Sequence, residues 1–393
     1  MREVVITSAV RTAIGNFLGA LSPFPATELG GFAIREAVTR SGIRKEDVDE
    51  VILGNVLPCG LGQNPARQAM IKAGLPMEAG AITLNKVCGS GLKAVMLAAQ
   101  AIIAGDAEVI VAGGMENMSR APYYLENART GYRLWDGKLV DGMVHDGLWD
   151  IVNDYHMGFT AEIQAKKFDI RREDQDQFAC ESNLWALKSS REGRFNEEIV
   201  PFPIPSKKGG ATLFEVDEGP RDPDPSGMAK LKAAFKEGGT VTAGNSSKIS
   251  DGASALVVMS GEKARSLGVK PMARVVAQAA AGVELEDVLV APIKSIPKAL
   301  KKAGLSLADM DLFEINEAFS ASTLAVIKAL GIDRNKVNVR GGAVALGHPI
   351  GASGARVLTT MLYALRERGL KKGIASLCLG GGEAVSLIVE MIE

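Results

Sequence analysis

Net charge is almost absent from this 393-residue chain: 45 lysines and arginines stand against 46 aspartates and glutamates, a formal charge of −1. That balance removes the attraction on which binding to nucleic acid or to an anionic membrane surface rests, so neither is an expected partner. Cysteine is scarce, with four residues at 59, 88, 180 and 378. None has the close paired spacing of a zinc site; all four read as free thiols, and no metal is expected. No unbroken apolar run reaches the about 18 residues that a membrane span requires. The opening MREVVITSAVRTAIG enters a strand-like run with no apolar leader, and the closing EMIE is not a Ser-Lys-Leu tail, so a cytoplasmic location is expected. A Walker P-loop is missing, as is a Gly-x-Gly-x-x-Gly fingerprint in the first strand–turn–helix, which argues against a protein that merely cradles phosphate.

Glycine, by contrast, is plentiful, at 44 residues, and the length suits roughly two or three domains. The sequence also repeats itself. Gly42, Asp47 and Asp49 of SGIRKEDVDEVILGN recur as Gly304, Asp309 and Asp311 of AGLSLADMDLFEINE, each 262 residues on. Ser90-Gly91 opens a helical stretch leading to the strand-like AEVIVAGGMEN; Ser353-Gly354, 263 residues on, opens another leading to GIASLCLGGGEA. Helix and strand alternate in both copies, which predicts a duplicated α/β unit with largely parallel sheets.

Residues 119–244 interrupt the repeat with aromatic and charged loops, helices near MGFTAEIQAKKF and EDQDQFACESNLWALKSS, and the turn-like PFPIPSKKGG and EGPRDPDPSG. The strand ASALVVMS then returns to the first copy. The predicted units are 1–118 with 245–268, an inserted loop domain over 119–244 that covers a substrate, and 269–393.

Cys88 stands in NKVCGSGLKA, directly before a helical pattern that stops at Gly105. A free cysteine is often just a small buried hydrophobe. Here Gly89 and Gly91 make a tight turn and place the thiol at a helix N-terminus, where the dipole and unpaired N–H groups are expected to lower its pKa and favour the nucleophilic thiolate. The second copy offers GGAVALGHPIGASGAR in the corresponding place. His348 there is one of three histidines, with His145 and His156, and glycines and a proline on either side hold it rigidly enough to serve as a base. Cys378 ends a strand before Gly380, Gly381 and Gly382; it reads either as a packed strand residue or as a second proton donor beside N–H groups able to hold an oxyanion. Asn316, after FEI and before a helical stretch, reads either as a helix cap or as an amide that holds a water or a carbonyl.

These four blocks, NKVCGSG, NEAF, GHPIGASG and CLGGGEA, come in the order and setting of the thiolase family, which the chain resembles along essentially its whole length, through VDEVILGNVL, GQNPARQ, AGGMENMS, YHMGFTAE, EGRFNEEIVPF, MAKL and TVTAGNSSKISDGA. The resemblance implies an α/β thiolase fold with duplicated halves in a five-layered αβαβα core. It implies transfer of an acetyl group between acetyl-CoA, acetoacetyl-CoA and CoA, with CoA as substrate and product and no other cofactor. By the same resemblance Cys88 is the acylated nucleophile, His348 activates it, Cys378 exchanges the α-proton, Asn316 holds a water at one oxyanion hole, and the N–H groups of Cys88 and Gly380 form the other. CoA contacts are implied for His156, Met157, Arg221, Ser247, Ala318 and Phe319. Gly227 departs from the serine that many relatives carry before Met-Ala-Lys-Leu, which removes a hydroxyl contact there. The segment from Ser119 to about Gly142 resembles one that joins dimers into a homotetramer.

Alternatives remain open at this point: a 3-ketoacyl-CoA thiolase of broader chain length, a ketoacyl synthase acting on carrier protein, and a non-catalytic CoA-binding protein. A reversible Cys88–Cys378 disulfide is a further expectation, provided the two thiols meet disulfide geometry.

Overall fold

The structure, a computed structural model, describes residues 2–206 and 209–392. Its first half is built from β1 (Val4–Thr12), α1 (Ala26–Ser41), β2 (Glu50–Gly54), α2 (Pro65–Ala73), β3 (Gly80–Leu84), α3 (Ser90–Ala104) and β4 (Val109–Asn117). The intervening segment holds α4 (Met157–Lys167) and α5 (Arg172–Arg191), and β5 (Ser250–Ser260) follows it. The second half comprises β6 (Ala273–Gly282), α6 (Pro292–Ala303), β7 (Leu312–Ile315), α7 (Ser320–Leu330), α8 (Ser353–Glu367), β8 (Lys372–Leu379) and β9 (Glu383–Met391).

The duplication is visible in the ladders. Strand order is β2-β4-β5-β1 in one half and β7-β8-β9-β6 in the other. In each, the first pair is parallel and the next two antiparallel. The sheets are therefore mixed, not largely parallel: β5 and β9 each return beside the strand before them, which a helix-then-strand count does not register. The halves meet edge to edge through a short β1–β6 pairing at Val5 and Ile6. The repeated aspartates do the same work in both copies. Asp49 Oδ2 accepts from the N–H groups of Glu108 and Val109 at the start of β4, and Asp311 Oδ2 accepts from those of Lys371 and Lys372 at the start of β8.

Strand β4 shows why its sequence is apolar from Val109 to Met115. Side chains alternate faces along a strand, and both faces here are covered: Val109 and Val111 pack with Leu29 and Ile34 of α1, whereas Ile110 and Ala112 pack with Leu92 and Val95 of α3. Helix α8 joins α3 in that middle layer, and Ile296 of α6 with Val326 of α7 covers the outer face of the second sheet. The order is helix, sheet, helix pair, sheet, helix, the five-layered arrangement expected. Helix α3 ends where predicted, with Gly105 at φ 88° and its N–H on Ala101 and Ile102 carbonyls.

Two expectations change. Val87–Ala104, despite Lys93, has a mean hydropathy of 1.6 over 18 residues and so passes the composition test for a span; most of it is buried in the central helix layer, which explains that composition. PFPIPSKKGG is not only loop: Phe202–Pro205 pairs antiparallel with Ala211–Phe214, while Lys207 and Lys208 lie outside the described residues.

Candidate active site

The loop before α3 is built by its own side chains. The N–H of Lys86 donates to Ser90 Oγ at 2.8 Å, that hydroxyl donates to the Val87 carbonyl at 2.6 Å, and the N–H of Val87 donates to Asn85 Oδ1 at 2.9 Å. Together they hold Val87 at φ 44° and turn Cys88 toward the cleft. A β-carbon on Gly89 would lie 2.2 Å from Leu379 Cδ2, so any side chain there would have to push Leu379 aside where the loop rests on the end of β8.

The Cys88 thiol differs from the expectation. Burial pushes its pKa up to about 11, opposed only in part by the N–H groups of Gly380 and of Cys88 itself, and the Glu116 carboxylate raises it further. Helix α3 begins at Ser90, two residues on, and desolvation of the charged form outweighs the helix terminus. The resting sulfur is a protonated thiol.

His348 is buried, and its neighbours settle its tautomer. Nδ1 lies 2.6 Å from Ser353 Oγ, and that hydroxyl donates its single proton to the Pro349 carbonyl at 2.9 Å. The hydroxyl must then accept from Nδ1–H, which leaves Nε2 unprotonated, an acceptor that faces the Asn316 amide. Burial, helped by the Arg356 charge, pushes the imidazole down to about 3, so it is neutral and able to take a proton. Asn316 does not cap α7, whose N-cap is Phe319. Its Nδ2 lies 3.4 Å from His348 Nε2, and its buried Oδ1 has no hydrogen-bond partner among the described residues. Cys378 is buried next to the end of β8; burial and the nearby Cys88 raise its pKa. Beyond it Gly381 and Gly382 take φ 89° and 80°, which gives the turn its glycines.

Cys88, His348, Cys378 and Gly380 line one cavity of about 60 Å3, together with Val87, Met157, Ser247, Leu289, Ala318 and Phe319. It adjoins a larger cavity of about 620 Å3 that holds Arg221 and shares His156, Ser247, Phe319 and His348 as walls. The His156 ring stacks on Phe235 at 4.7 Å, and its Nδ1 accepts from the N–H of Gly158, so it also caps α4. The N–H of Ser247 donates to the Ala318 carbonyl at 3.0 Å, which lays the GNSSK loop along NEAF. Each sequence-predicted residue thus lies in one of the two cavities, except Asn316, whose amide lies against His348 Nε2. Arg221 also borders a groove with Cys180 and Gly227.

The sequence reading missed three supports. Glu116, at the end of β4, is fully buried and accepts from Asn55 Nδ2 and from the N–H groups of Val56, Leu57 and Gly351. It thereby ties the first half to the loop that carries His348; burial raises its pKa to about 7. A charged residue inside an apolar strand was the available signal. Ser353 was read only as a repeat marker. Lys248 Nζ bonds the Ala345 carbonyl at 2.7 Å while its own carbonyl accepts from the N–H of His348; nothing local marks it.

With the geometry in hand, comparison with known proteins is specific. The thiolase N-terminal domain model matches residues 4–262 and the thiolase C-terminal domain model residues 269–391. An acetyl-CoA acetyltransferase of Cupriavidus necator is 54% identical over 391 residues, covering 99% of this chain and 100% of its own. One of Pseudomonas aeruginosa is also 54% identical, covering 98% of this chain and 99% of its own. The crystal structure of the Bacillus anthracis acetyl-CoA acetyltransferase superposes with a TM-score of 0.98 at 45% identity, over 100% of this chain and 99% of that one.

Proposed function

The chain belongs to the thiolase family and is an acyltransferase that moves acetyl groups between coenzyme A thioesters, and we propose that it does so through an acetyl-Cys88 intermediate. The observation that carries this reading is the sharing of one cavity of about 60 Å3 by Cys88, His348, Cys378 and Gly380.

In thiolysis the Cys88 proton passes to His348 Nε2 and the sulfur attacks the 3-keto carbon of acetoacetyl-CoA. The bond between C2 and C3 breaks, leaving acetyl-Cys88 and the enolate of acetyl-CoA, which takes its proton from Cys378. The proton held on His348 restores Cys378; the thiol of free CoA then passes its own proton to His348 and takes the acetyl group, and the expelled Cys88 sulfur recovers that proton from His348. Condensation is the reverse, with Cys378 removing the α-proton. Splitting the exchange at a thioester replaces one difficult step by two easier ones. CoA enters as substrate and product, and the steps balance without a further cofactor.

Each role has support. A thiol with a pKa near 11 beside an imidazole near 3 rests as a neutral pair, so the proton moves only as attack proceeds and negative charge reaches the carbonyl oxygen. The N–H groups of Cys88 and Gly380 point at the Cys88 sulfur, where an oxyanion formed on the attacked carbon would also find them. Asn316, with its free Oδ1, suits a bound water beside His348. His156, Met157, Arg221, Ser247, Ala318 and Phe319, along the two cavities, are assigned to CoA.

The test is CoA-dependent loss of acetoacetyl-CoA beside 3-ketohexadecanoyl-CoA, with Cys88→Ser as control. Turnover of the short substrate, abolished in the control, is expected; better turnover of the long one would make the enzyme a broad 3-ketoacyl-CoA thiolase. We assign a homotetramer as well, on the exposed Leu125, Leu134, Trp135 and Leu139 in the segment after Ser119. Light scattering that finds only dimers at micromolar concentration would overturn that assignment.

A further inference from the structure

We propose that Val87 is a specificity-determining residue that limits the acyl group on Cys88 to two carbons; this rests on the acetyl-Cys88 reading above. Side chain and backbone conflict at this position. Val87 is β-branched yet sits at φ 44°, a region such residues almost never adopt and where glycine would sit freely.

Three contacts impose that backbone: the N–H of Val87 donates to Asn85 Oδ1, and its carbonyl accepts from both the N–H and the hydroxyl of Ser90. None of them involves the isopropyl group. The loop needs the left-handed residue, but it does not need a valine there. A side chain that costs stability at such a position is there for what it touches.

The isopropyl group packs partly against the core between the two sheets, and the rest of it meets the acyl end of the site. Val87 lines the cavity of about 60 Å3 beside Cys88 and Cys378. Its Cγ1 also lies 3.2 Å from where a β-carbon on Gly380 would stand, so the isopropyl group fills the space beside the glycine whose N–H points at the Cys88 sulfur. An acyl chain that extends from Cys88 by two methylenes meets this wall, and each methylene in an apolar pocket is worth about tenfold or more in discrimination.

The experiment measures kcat/KM for thiolysis of 3-ketohexanoyl-CoA and of acetoacetyl-CoA in wild type, Val87→Ala and Val87→Gly. Cleavage of the six-carbon substrate must place a butyryl group on Cys88, so the ratio of the two values reads the wall directly. The ratio is expected to rise at least tenfold in both variants. A ratio within twofold of wild type, with both substrates slowed alike, would overturn the inference and leave Val87 as part of the turn. Should the glycine variant fail to fold, the alanine variant decides alone. Wild type that leaves acetoacetyl-CoA untouched would overturn the underlying reading of the site instead, a result distinguishable from an unchanged ratio.

Discussion

Gly91 and Gly354 face each other where the two central helices cross. A β-carbon on Gly354 would lie 2.2 Å from the backbone nitrogen of Leu92, and one on Gly91 would lie 2.7 Å from that of Ala355. The two residues are related by the sequence repeat, so a single duplicated position supplies both sides of the contact. The cavity depends on it, because α3 starts just after Cys88 and α8 just after the His348 loop.

Gly354→Ala is therefore expected to force the helices apart. The obstruction is backbone and cannot rotate away, so the cost is about 2 kcal/mol or more. Thermal unfolding should show a lower Tm, and kcat should fall with it; an unchanged Tm would mean that the helices are free to shift.

Ser353→Ala leaves His348 Nδ1 without its acceptor and lets the ring exchange tautomers. Loss of one hydrogen bond of this kind is worth about 1 kcal/mol, but the base is then also present in the wrong form part of the time. Steady-state kinetics should show kcat lowered roughly tenfold with KM for acetoacetyl-CoA little changed. A change confined to KM would contradict the tautomer argument.

Cys378→Ala separates the two halves of the reaction. In the proposed mechanism, breaking or making the carbon–carbon bond needs a proton at Cys378, whereas passing an acetyl group between Cys88 and CoA does not. Condensation and thiolysis should fall by about 10²–10⁴-fold, while exchange of labelled CoA into acetyl-CoA continues. Equal loss of both activities would show that Cys378 serves the acyl transfer as well.

The raised Cys88 pKa fixes the sign of a pH experiment. With the thiol at about 11 in the free protein, the thiolate fraction grows with pH across the whole range below that value. The rate of Cys88 alkylation by iodoacetamide, followed by peptide mapping, should climb about tenfold per unit between pH 7 and 9. A plateau beginning below pH 8 would mean that the helix terminus and the two N–H groups prevail over burial.

Much of this molecule could be read from sequence, because the informative features are local or repeated. Helix starts at Ser90 and Ser353, the glycine stop at Gly105 and the paired aspartates Asp49 and Asp311 act within a few residues of themselves or recur at a constant spacing. Glu116 escaped notice since its four donors come from segments about 60 and 235 residues away.

By itself the sequence determined the duplication, the four blocks whose residues meet at one cavity and the family, since short-range backbone preference and residue identity suffice for these. Only the tertiary structure decided the antiparallel course of β5 and β9, the tautomer of His348, the protonated state of Cys88 and the size of the cavity beside it. The physical reason is common to all four. Strand order, desolvation and cavity volume arise from contacts between residues far apart in the chain, and in a closed interior those contacts outweigh what a helix terminus or a flanking glycine contributes locally.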